Sequence, residues 1–322
     1  MLQQVNNKLE KAMPFIAPSS VIIGVVFSKY LTPLDFLVPW IFAFMTFIGS
    51  LNSNFRSLYK AVSHPLPIII ALVTLHVIMP LWAWGIGYLA FSGDIYTITG
   101  LIIAMVIPTG ITSFIWVSMA KGNVALTLSI ILIDTILSPF IVPFSISVLV
   151  GQSVEIEIWS IMKGLIGMVV VPSIIGMYLN QFTAGKLPEV LKPRLSPFSK
   201  IGLGCVIMIN SSVIAPYLSN INLKLVAIAV VVFFIAFSGY LLSMGMGKLV
   251  GVDQETMISL TFSGGMRNIS AGAVIAVTYF APPVAVPVVI GMLFQQIIAS
   301  IYGKWISKHF HKPPVPQYQY GT

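Results

Sequence analysis

The chain has 322 residues, of which 57% are hydrophobic and only 8% are charged, and its mean hydropathy is +0.97. Soluble domains carry about 25% charged residues, so this composition excludes a water-soluble globular protein and indicates a polytopic helical membrane protein. The single cysteine, Cys205, excludes a disulfide framework and a zinc site built from cysteines.

The hydrophobic stretches predict ten membrane-spanning helices, each long enough to cross roughly 30 Å of hydrocarbon. The longest connection between them runs from Gln181 to Pro197 and is rich in Lys, Arg and Pro. Residues 310–322 are expected to form a disordered cytoplasmic tail. In chain order the ten spans cover approximately residues 13–30, 36–55, 65–91, 96–119, 123–149, 158–181, 199–217, 223–248, 254–279 and 283–308.

Ten spans place both termini on one side of the membrane, and the positive-inside rule decides which side. Of the 17 Lys and Arg residues, 13 fall on the side of the N-terminus, three fall on the other side (Lys29, Lys163 and Lys224) and one, Arg267, lies within a span. We therefore expect both termini to be cytoplasmic, with the protein in the inner or plasma membrane. The net charge of +8 follows from this asymmetry and requires no nucleic-acid partner.

Breaks rich in glycine and proline occur at matching positions of the two halves. Span four is interrupted at Pro108–Gly110 and span nine at Ser263–Gly265, 155 residues further along. With five spans in each half, the second half enters the membrane from the opposite side, which is the plan of inverted repeats in secondary transporters. The repeats would cover residues 1–149 and 150–309. Two unrelated kinks are the alternative, because such kinks are common in membrane helices.

The segments after the two breaks suit an anion. The half-helices begin near Thr112 and Asn268, where free N–H groups and the positive end of the helix dipole attract negative charge. Neighbouring hydroxyl and amide groups can add hydrogen bonds, so the residues predict a transporter for an organic anion. The candidate substrate-binding residues are Thr109, Thr112, Ser113, Asn268 and Ser270.

Three ionisable residues lie inside predicted spans: His76, Asp134 and Arg267. Counted from the start of its span, each lies roughly 16–20 Å into the membrane, near the midplane. Because an unpaired charge there costs some 3 kcal/mol or more, we expect Arg267 to pair with Asp134, with His76 close by. A neutral interior histidine and a purely structural ion pair are the alternatives.

Three sequence features resemble the bile acid:sodium symporter family. They are Pro-x-Gly-x-x-Ser at 108–113 with Ala-Lys-Gly-Asn-Val-Ala-Leu at 120–126, Ser-Pro at 138–139 with Pro143, and Gly-x-x-Asn at 265–268. The resemblance covers nearly all ten spans. It implies a panel domain of helices 1, 2, 6 and 7 and a core domain of helices 3–5 and 8–10, in which helices 4 and 9 cross at their breaks. It also implies organic-anion substrates, such as bile acids and small carboxylates, that bind between panel and core with two coupled sodium ions behind the crossing.

The chain departs from the family pattern at the sodium-binding positions of helices 4 and 5. Helix 4 of the family usually has a Ser-Asn pair, whereas this chain has Ser113 and Phe114. Helix 5 usually has two hydroxyl residues one turn apart, whereas this chain has Thr127 and Ile131. Sodium is a hard cation that needs several oxygen ligands, so the lost amide and hydroxyl weaken the first site.

Helices 9 and 3 depart from the pattern as well. The family motif Glu-x-Gly-x-Gln-Asn has Ser263 in place of its Glu and Arg267 in place of its Gln, while Asn268 stays, and an assisting Gln of helix 3 is His76. The first sodium site thereby loses its carboxylate, and the second gains a positive charge that does not deprotonate in proteins. Arg267 is therefore predicted to supply the charge that sodium brings elsewhere, with Asp134 as its counter-charge.

These features predict a monomeric secondary transporter of an organic anion that works by alternating access without sodium, a cofactor, a metal or enzymatic activity. One alternative is a sodium- or proton-coupled symporter in which Asp134 or His76 carries the proton. Another is a binding or sensor protein that has lost transport. A further alternative lets Arg267 grip the substrate carboxylate bidentately. An intramembrane protease is disfavoured, because the sequence has neither a second intramembrane Asp nor a His-Glu-x-x-His motif.

Overall fold

The structure is a computed structural model that describes residues 2–51, 53, 55, 65–151, 157–219 and 222–310. Over these residues the backbone is almost entirely helical and contains no β-strand. The α-helices are α1 Leu2–Val26, α2 Ser28–Leu31, α3 Val38–Ser50, α4 Pro65–Val73, α5 Met79–Ala90, α6 Ile95–Val106, α7 Ser113–Met119, α8 Val124–Val150, α9 Ile158–Leu165, α10 Val171–Phe182, α11 Lys186–Val213, α12 Ala215–Leu218, α13 Leu223–Val250, α14 Gln254–Gly265, α15 Ile269–Tyr279 and α16 Ala285–Phe310. The 3₁₀ segments are Thr32–Leu37 and Pro282–Val284, and the π-helical segments are Thr74–Ile78 and Ile166–Val170.

Six described helical stretches are long and apolar enough to cross a membrane. This confirms the prediction of a polytopic helical membrane protein, whereas the count of ten spans stays a prediction. The six stretches are Ser28–Ser50, Pro65–Ala90, Val124–Val150, Ile158–Phe182, Leu223–Val250 and Pro282–Phe310.

The other four predicted spans take different forms. The first, 13–30, is divided between α1 and α2, and the seventh, 199–217, is divided between α11 and α12. The fourth and ninth are each divided in two by a break. Each break leaves a shorter apolar helix, Ile95–Val106 or Ile269–Tyr279.

The prediction of a long connection from Gln181 to Pro197 is wrong. Helix α10 continues to Phe182 and α11 begins at Lys186, after a tight turn through Gly185, whose φ of +83° favours glycine. Pro188 lies in the first turn of α11, where its missing N–H has no helical partner to lose. Two further prolines within α11 do not end the helix.

The helices pack in two neighbouring sets. In one, α1 packs on α11, and α3 contacts both α10 and α11. In the other, α13 packs on α14 and α16, while α6 contacts α5, α8 and α16. The second half-helix, α15, touches both sets through α11, α3 and α16.

Candidate functional site

The candidate site lies where the two helix breaks meet. The first break separates α6 from α7, and the second separates α14 from α15. Thr109 and Arg267, one from each break, form an isolated antiparallel bridge. The second break lies at residues 266–268, slightly later than predicted, because α14 continues through Gly265.

Backbone hydrogen bonds across this crossing use the polar groups that the breaks release. The N–H of Gly110 donates to the carbonyl oxygen of Met266 at 3.2 Å, and the N–H of Asn268 donates to that of Pro108 at 2.8 Å. Such groups are costly in hydrocarbon unless protein or ligand satisfies them. A Cβ at Gly110 would lie 2.7 Å from the carbonyl oxygen of Arg267, so the crossing requires glycine at this position.

Thr109 links the crossing to α8 and to the end of α14. Its N–H donates to Oδ2 of Asp134 at 2.6 Å. Its hydroxyl, in a side chain only 2% exposed, donates a bifurcated hydrogen bond to the carbonyl oxygens of Ser263 at 2.6 Å and Met266 at 3.0 Å. Both donors of this predicted substrate-binding residue are therefore committed to the crossing.

His76 and Asp134 form a buried pair beside the crossing. Nε2 of His76 lies 2.5 Å from Oδ1 of Asp134, and the two side chains are 5% and 0% exposed. His76 lies in the π-helical segment Thr74–Ile78, four residues before Pro80. Proline has no N–H to donate to the carbonyl four residues earlier, and π-helical segments are frequent at functional sites.

Arg267 does not pair with Asp134 in the structure. Among the described residues no ion pair joins the two side chains, and none of Nε, Nη1 and Nη2 has a hydrogen-bond partner, although Arg267 is only 2% exposed. The carboxylate instead makes two other contacts, through Oδ1 with His76 and through Oδ2 with the N–H of Thr109. Asp134 is nevertheless close enough to interact electrostatically with Arg267.

The other predicted sodium-site positions offer few oxygen ligands. Ser113 and Ser263 are fully buried, and their hydroxyl groups have no hydrogen-bond partner within the described chain. Thr127 is also fully buried and donates its hydroxyl to the carbonyl of Asn123, in the turn before α8. The two predicted sodium-site positions that carry apolar residues differ in burial, since Phe114 is half-buried and Ile131 is buried. Where the structure describes the chain, no group of three or more His, Cys, Asp and Glu side chains is arranged to hold a metal ion.

The remaining candidate substrate-binding residues lie at the starts of α7 and α15. Thr112 and Asn268 are half-buried N-cap residues, and neither caps its helix through the side chain. Ser270 lies in the first turn of α15 and is 9% exposed. Their side chains therefore remain available for a ligand.

Sequence reasoning missed Tyr240 of α13. Its ring packs against Gly265 and stacks on Tyr302 with a centroid distance of 4.4 Å. Its side chain is 1% exposed, its hydroxyl has no described partner, and it interacts electrostatically with Arg267. The glycine pair at the end of α14 signals a close approach, but nothing in the sequence indicates which side chain makes it.

Comparison with known proteins relates this arrangement to one family. A sequence model of the sodium bile acid symporter family matches residues 39–221. YbaS of Bacillus subtilis (strain 168), described as uncharacterized, is 57% identical over 94% of this chain and 98% of its own length. YocS of the same organism, described as an uncharacterized sodium-dependent transporter, is 26% identical over 86% of this chain and 87% of its own. The probable sodium/metabolite cotransporter BASS1, chloroplastic, of Oryza sativa subsp. japonica is 28% identical over 71% of this chain and 56% of its own.

Proposed function

Because the chain belongs to the sodium bile acid symporter family, whose members are secondary transporters and not enzymes, we propose that it transports an organic anion by alternating access without sodium coupling. The substrate is a bile acid or a small carboxylate. The description of relatives as sodium-dependent or sodium/metabolite transporters supports transport. The observation that supports sodium-independent transport is the buried Arg267 at the crossing.

We assign the fold of this transporter to ten spans in two inverted repeats, residues 1–149 and 150–309. The packing of α1, α3, α10 and α11 on one another supports a panel domain, and the packing of α13 on α14 and α16 supports a core domain. The antiparallel meeting of the two breaks is what two repeats of opposite orientation would produce. In this assignment the substrate would bind between the two sets.

The substrate anion would bind at the start of α15. This helix has 11 residues, and its positive dipole end attracts negative charge. Asn268 and Thr112 have side chains that do not cap their helices, so they can donate to a carboxylate. Ser113 and Ser270 complete the proposed set.

Sodium coupling would be lost for two reasons. The family's second sodium position carries the fixed charge of Arg267, which repels a second cation in a low-dielectric interior. The first position presents Ile131 and Phe114 where the family has oxygen ligands, and Ser263 where it has a carboxylate. A hard cation finds too few oxygen atoms there.

Proton coupling is the second candidate, and the His76–Asp134 pair favours it. The two groups lie 2.5 Å apart in a buried site, and intramembrane carboxylates and histidines serve as proton relays. Through its bond to the N–H of Thr109, Asp134 would transmit a change of protonation to the crossing. Under this candidate, an inward proton gradient accelerates uptake by the wild type, and His76→Gln removes the acceleration.

The test of the main proposal is equilibrium binding of a radiolabelled bile acid and of small carboxylates to purified protein. Binding is compared in sodium gluconate and in N-methylglucamine gluconate at equal ionic strength. We expect saturable binding with equal affinity in both salts, and weaker binding for Asn268→Ala. Ser129→Ala is the control, because Ser129 donates only to Ala125 of its own helix. A severalfold higher affinity in sodium would overturn sodium independence, and binding without flux in proteoliposomes would identify a sensor instead of a transporter.

A further inference from the structure

The Arg267 side chain is a buried donor group that neither the backbone crossing nor the His76–Asp134 pair uses. It is 2% exposed, and no acceptor among the described residues reaches its three nitrogen atoms. A guanidinium has five N–H donors and stays charged. A buried charge without a partner is strongly destabilising, so this position favours a negatively charged acceptor.

The protein's own carboxylate does not supply that acceptor. Asp134 is the acidic residue that interacts with Arg267, but its Oδ1 is bound by His76 and its Oδ2 by the N–H of Thr109. The Asp134 carboxylate therefore contacts His76 and the first break, and makes no hydrogen bond to the guanidinium.

Further hydrogen-bond donors without partners belong to the same crossing. Ser263 lies in the last turn of α14, four residues before Arg267, and Ser113 begins α7. Tyr240 packs against Gly265 and interacts electrostatically with Arg267. All three hydroxyl groups are buried and without a described partner. The buried guanidinium and these hydroxyl groups belong to the same crossing and can all donate to an anion, whereas the fixed positive charge disfavours a cation.

We propose that Arg267 binds one small monovalent anion inside the crossing, either a halide or a carboxylate group. Hydrogen bonds from the guanidinium hold the anion, and the hydroxyl groups of Ser263 and Tyr240 support it. The anion satisfies donors that the protein leaves unpaired, so its binding stabilises the folded protein. This proposal requires no transport activity, and its test needs neither sodium nor a transported substrate.

The test is the thermal unfolding midpoint of the purified protein in chloride, bromide and formate salts. Each test anion replaces gluconate, a carboxylate too large for a buried site, in increasing amounts. The ionic strength and the cation are the same in all samples. At about ten times the dissociation constant we expect the midpoint to rise by roughly 2 °C. A response to halide and formate alike identifies a general monovalent-anion site, whereas a response to formate alone identifies a carboxylate subsite of the substrate.

Two variants and one direct observation control for effects of anions on the rest of the chain. Arg267→Gln should lose the rise, whereas Arg194→Gln should keep it, because it removes the same charge from an exposed position of α11. Crystals soaked in bromide should show anomalous density within hydrogen-bond distance of the Arg267 guanidinium. Should Arg267→Gln not fold, density beside the Arg267 guanidinium in wild-type crystals soaked in bromide and in formate decides. Equal midpoints in all salts, a rise that Arg267→Gln retains, or, where halides raise the midpoint, no bromide at Arg267 would each overturn the proposal.

Discussion

Thr109 donates its N–H to Asp134 and its hydroxyl to two carbonyl oxygens at the end of α14. One residue thus joins three helical segments at the point where two of them lack their own hydrogen bonds. The depth of His76, Asp134 and Arg267 follows from counting residues along their spans. The sequence does not show which two of them form a pair. The pairing depends on where the N–H of Thr109 lies, and only the crossing determines that position.

Thr109→Val tests this role, because it keeps the shape of the side chain and removes the hydroxyl. The carbonyl of Met266 keeps a donor in Gly110, but that of Ser263 loses the threonine hydroxyl. We expect the free energy of unfolding to fall by about 1–2 kcal/mol, measured by thermal or denaturant unfolding in detergent. Thr99→Val is the control, since Thr99 donates only to Ile95 of its own helix. Equal losses in the two variants would contradict a special role for Thr109.

At the scale of elements, the two broken helices are the feature that the sequence predicts best. Proline and glycine at 108–110 and the glycine pair at 264–265 mark the interruptions to within a few residues. The Lys- and Pro-rich stretch before Pro197 wrongly predicts a connection between helices. The prolines in the first turn and in the interior of α11 do not end this helix. Glycine and proline in the sequence therefore predict a helix break reliably only where the freed backbone N–H and C=O groups have hydrogen-bond partners elsewhere in the fold.

Gly110→Ala should disrupt the crossing. The added Cβ would lie 2.7 Å from the carbonyl oxygen and 3.0 Å from the carbonyl carbon of Arg267, and both atoms are backbone, so the two breaks must move apart. We expect a lower unfolding midpoint and weaker substrate binding. Gly85→Ala serves as the control, because a Cβ there has no neighbour within 4 Å and alanine favours a helix. An unchanged midpoint for Gly110→Ala would show that the breaks do not need this close approach.

The start of α14 carries a pH-dependent cap. Asp253 accepts hydrogen bonds from the N–H of Thr256 at 3.0 Å and from its hydroxyl at 2.7 Å, and these bonds lower the pKa of Asp253 below its usual 3.8. A carboxyl with a lowered folded-state pKa stabilises the protein above its unfolded pKa, and the stabilisation disappears as pH falls through the folded-state pKa. Asp253→Ala should therefore lower the free energy of unfolding by about 1 kcal/mol at pH 6, and by less as pH falls below about 4.

The matched variant for this cap is Asp253→Asn, since asparagine caps about as well as aspartate but does not titrate. Its stability relative to the wild type should stay nearly constant at neutral pH and improve at the acidic end. Unfolding midpoints between pH 3 and pH 7 measure both variants. A difference between wild type and Asp253→Ala that does not change with pH would contradict a contribution from the ionised carboxylate.

At the scale of the whole molecule, the distribution of basic residues predicts the orientation in the membrane. Lys224 lies just inside the start of α13 and Lys248 near its end, and both are exposed. The positive-inside rule places Lys224 outside and Lys248 in the cytoplasm. In a Cys205→Ala background, a membrane-impermeant maleimide should label Lys224→Cys in intact cells and Lys248→Cys only after permeabilisation. The reverse pattern would contradict the proposed orientation.

A fixed guanidinium is proposed to replace the sodium ion in this transporter of organic anions. The most direct measurement is the initial rate of uptake of a bile acid or small carboxylate into proteoliposomes at a clamped membrane potential, with an inward sodium gradient and without sodium. Because Arg267 already carries the charge, we predict equal rates in the two conditions for the wild type. A rate that rises severalfold with the inward sodium gradient would contradict the claim.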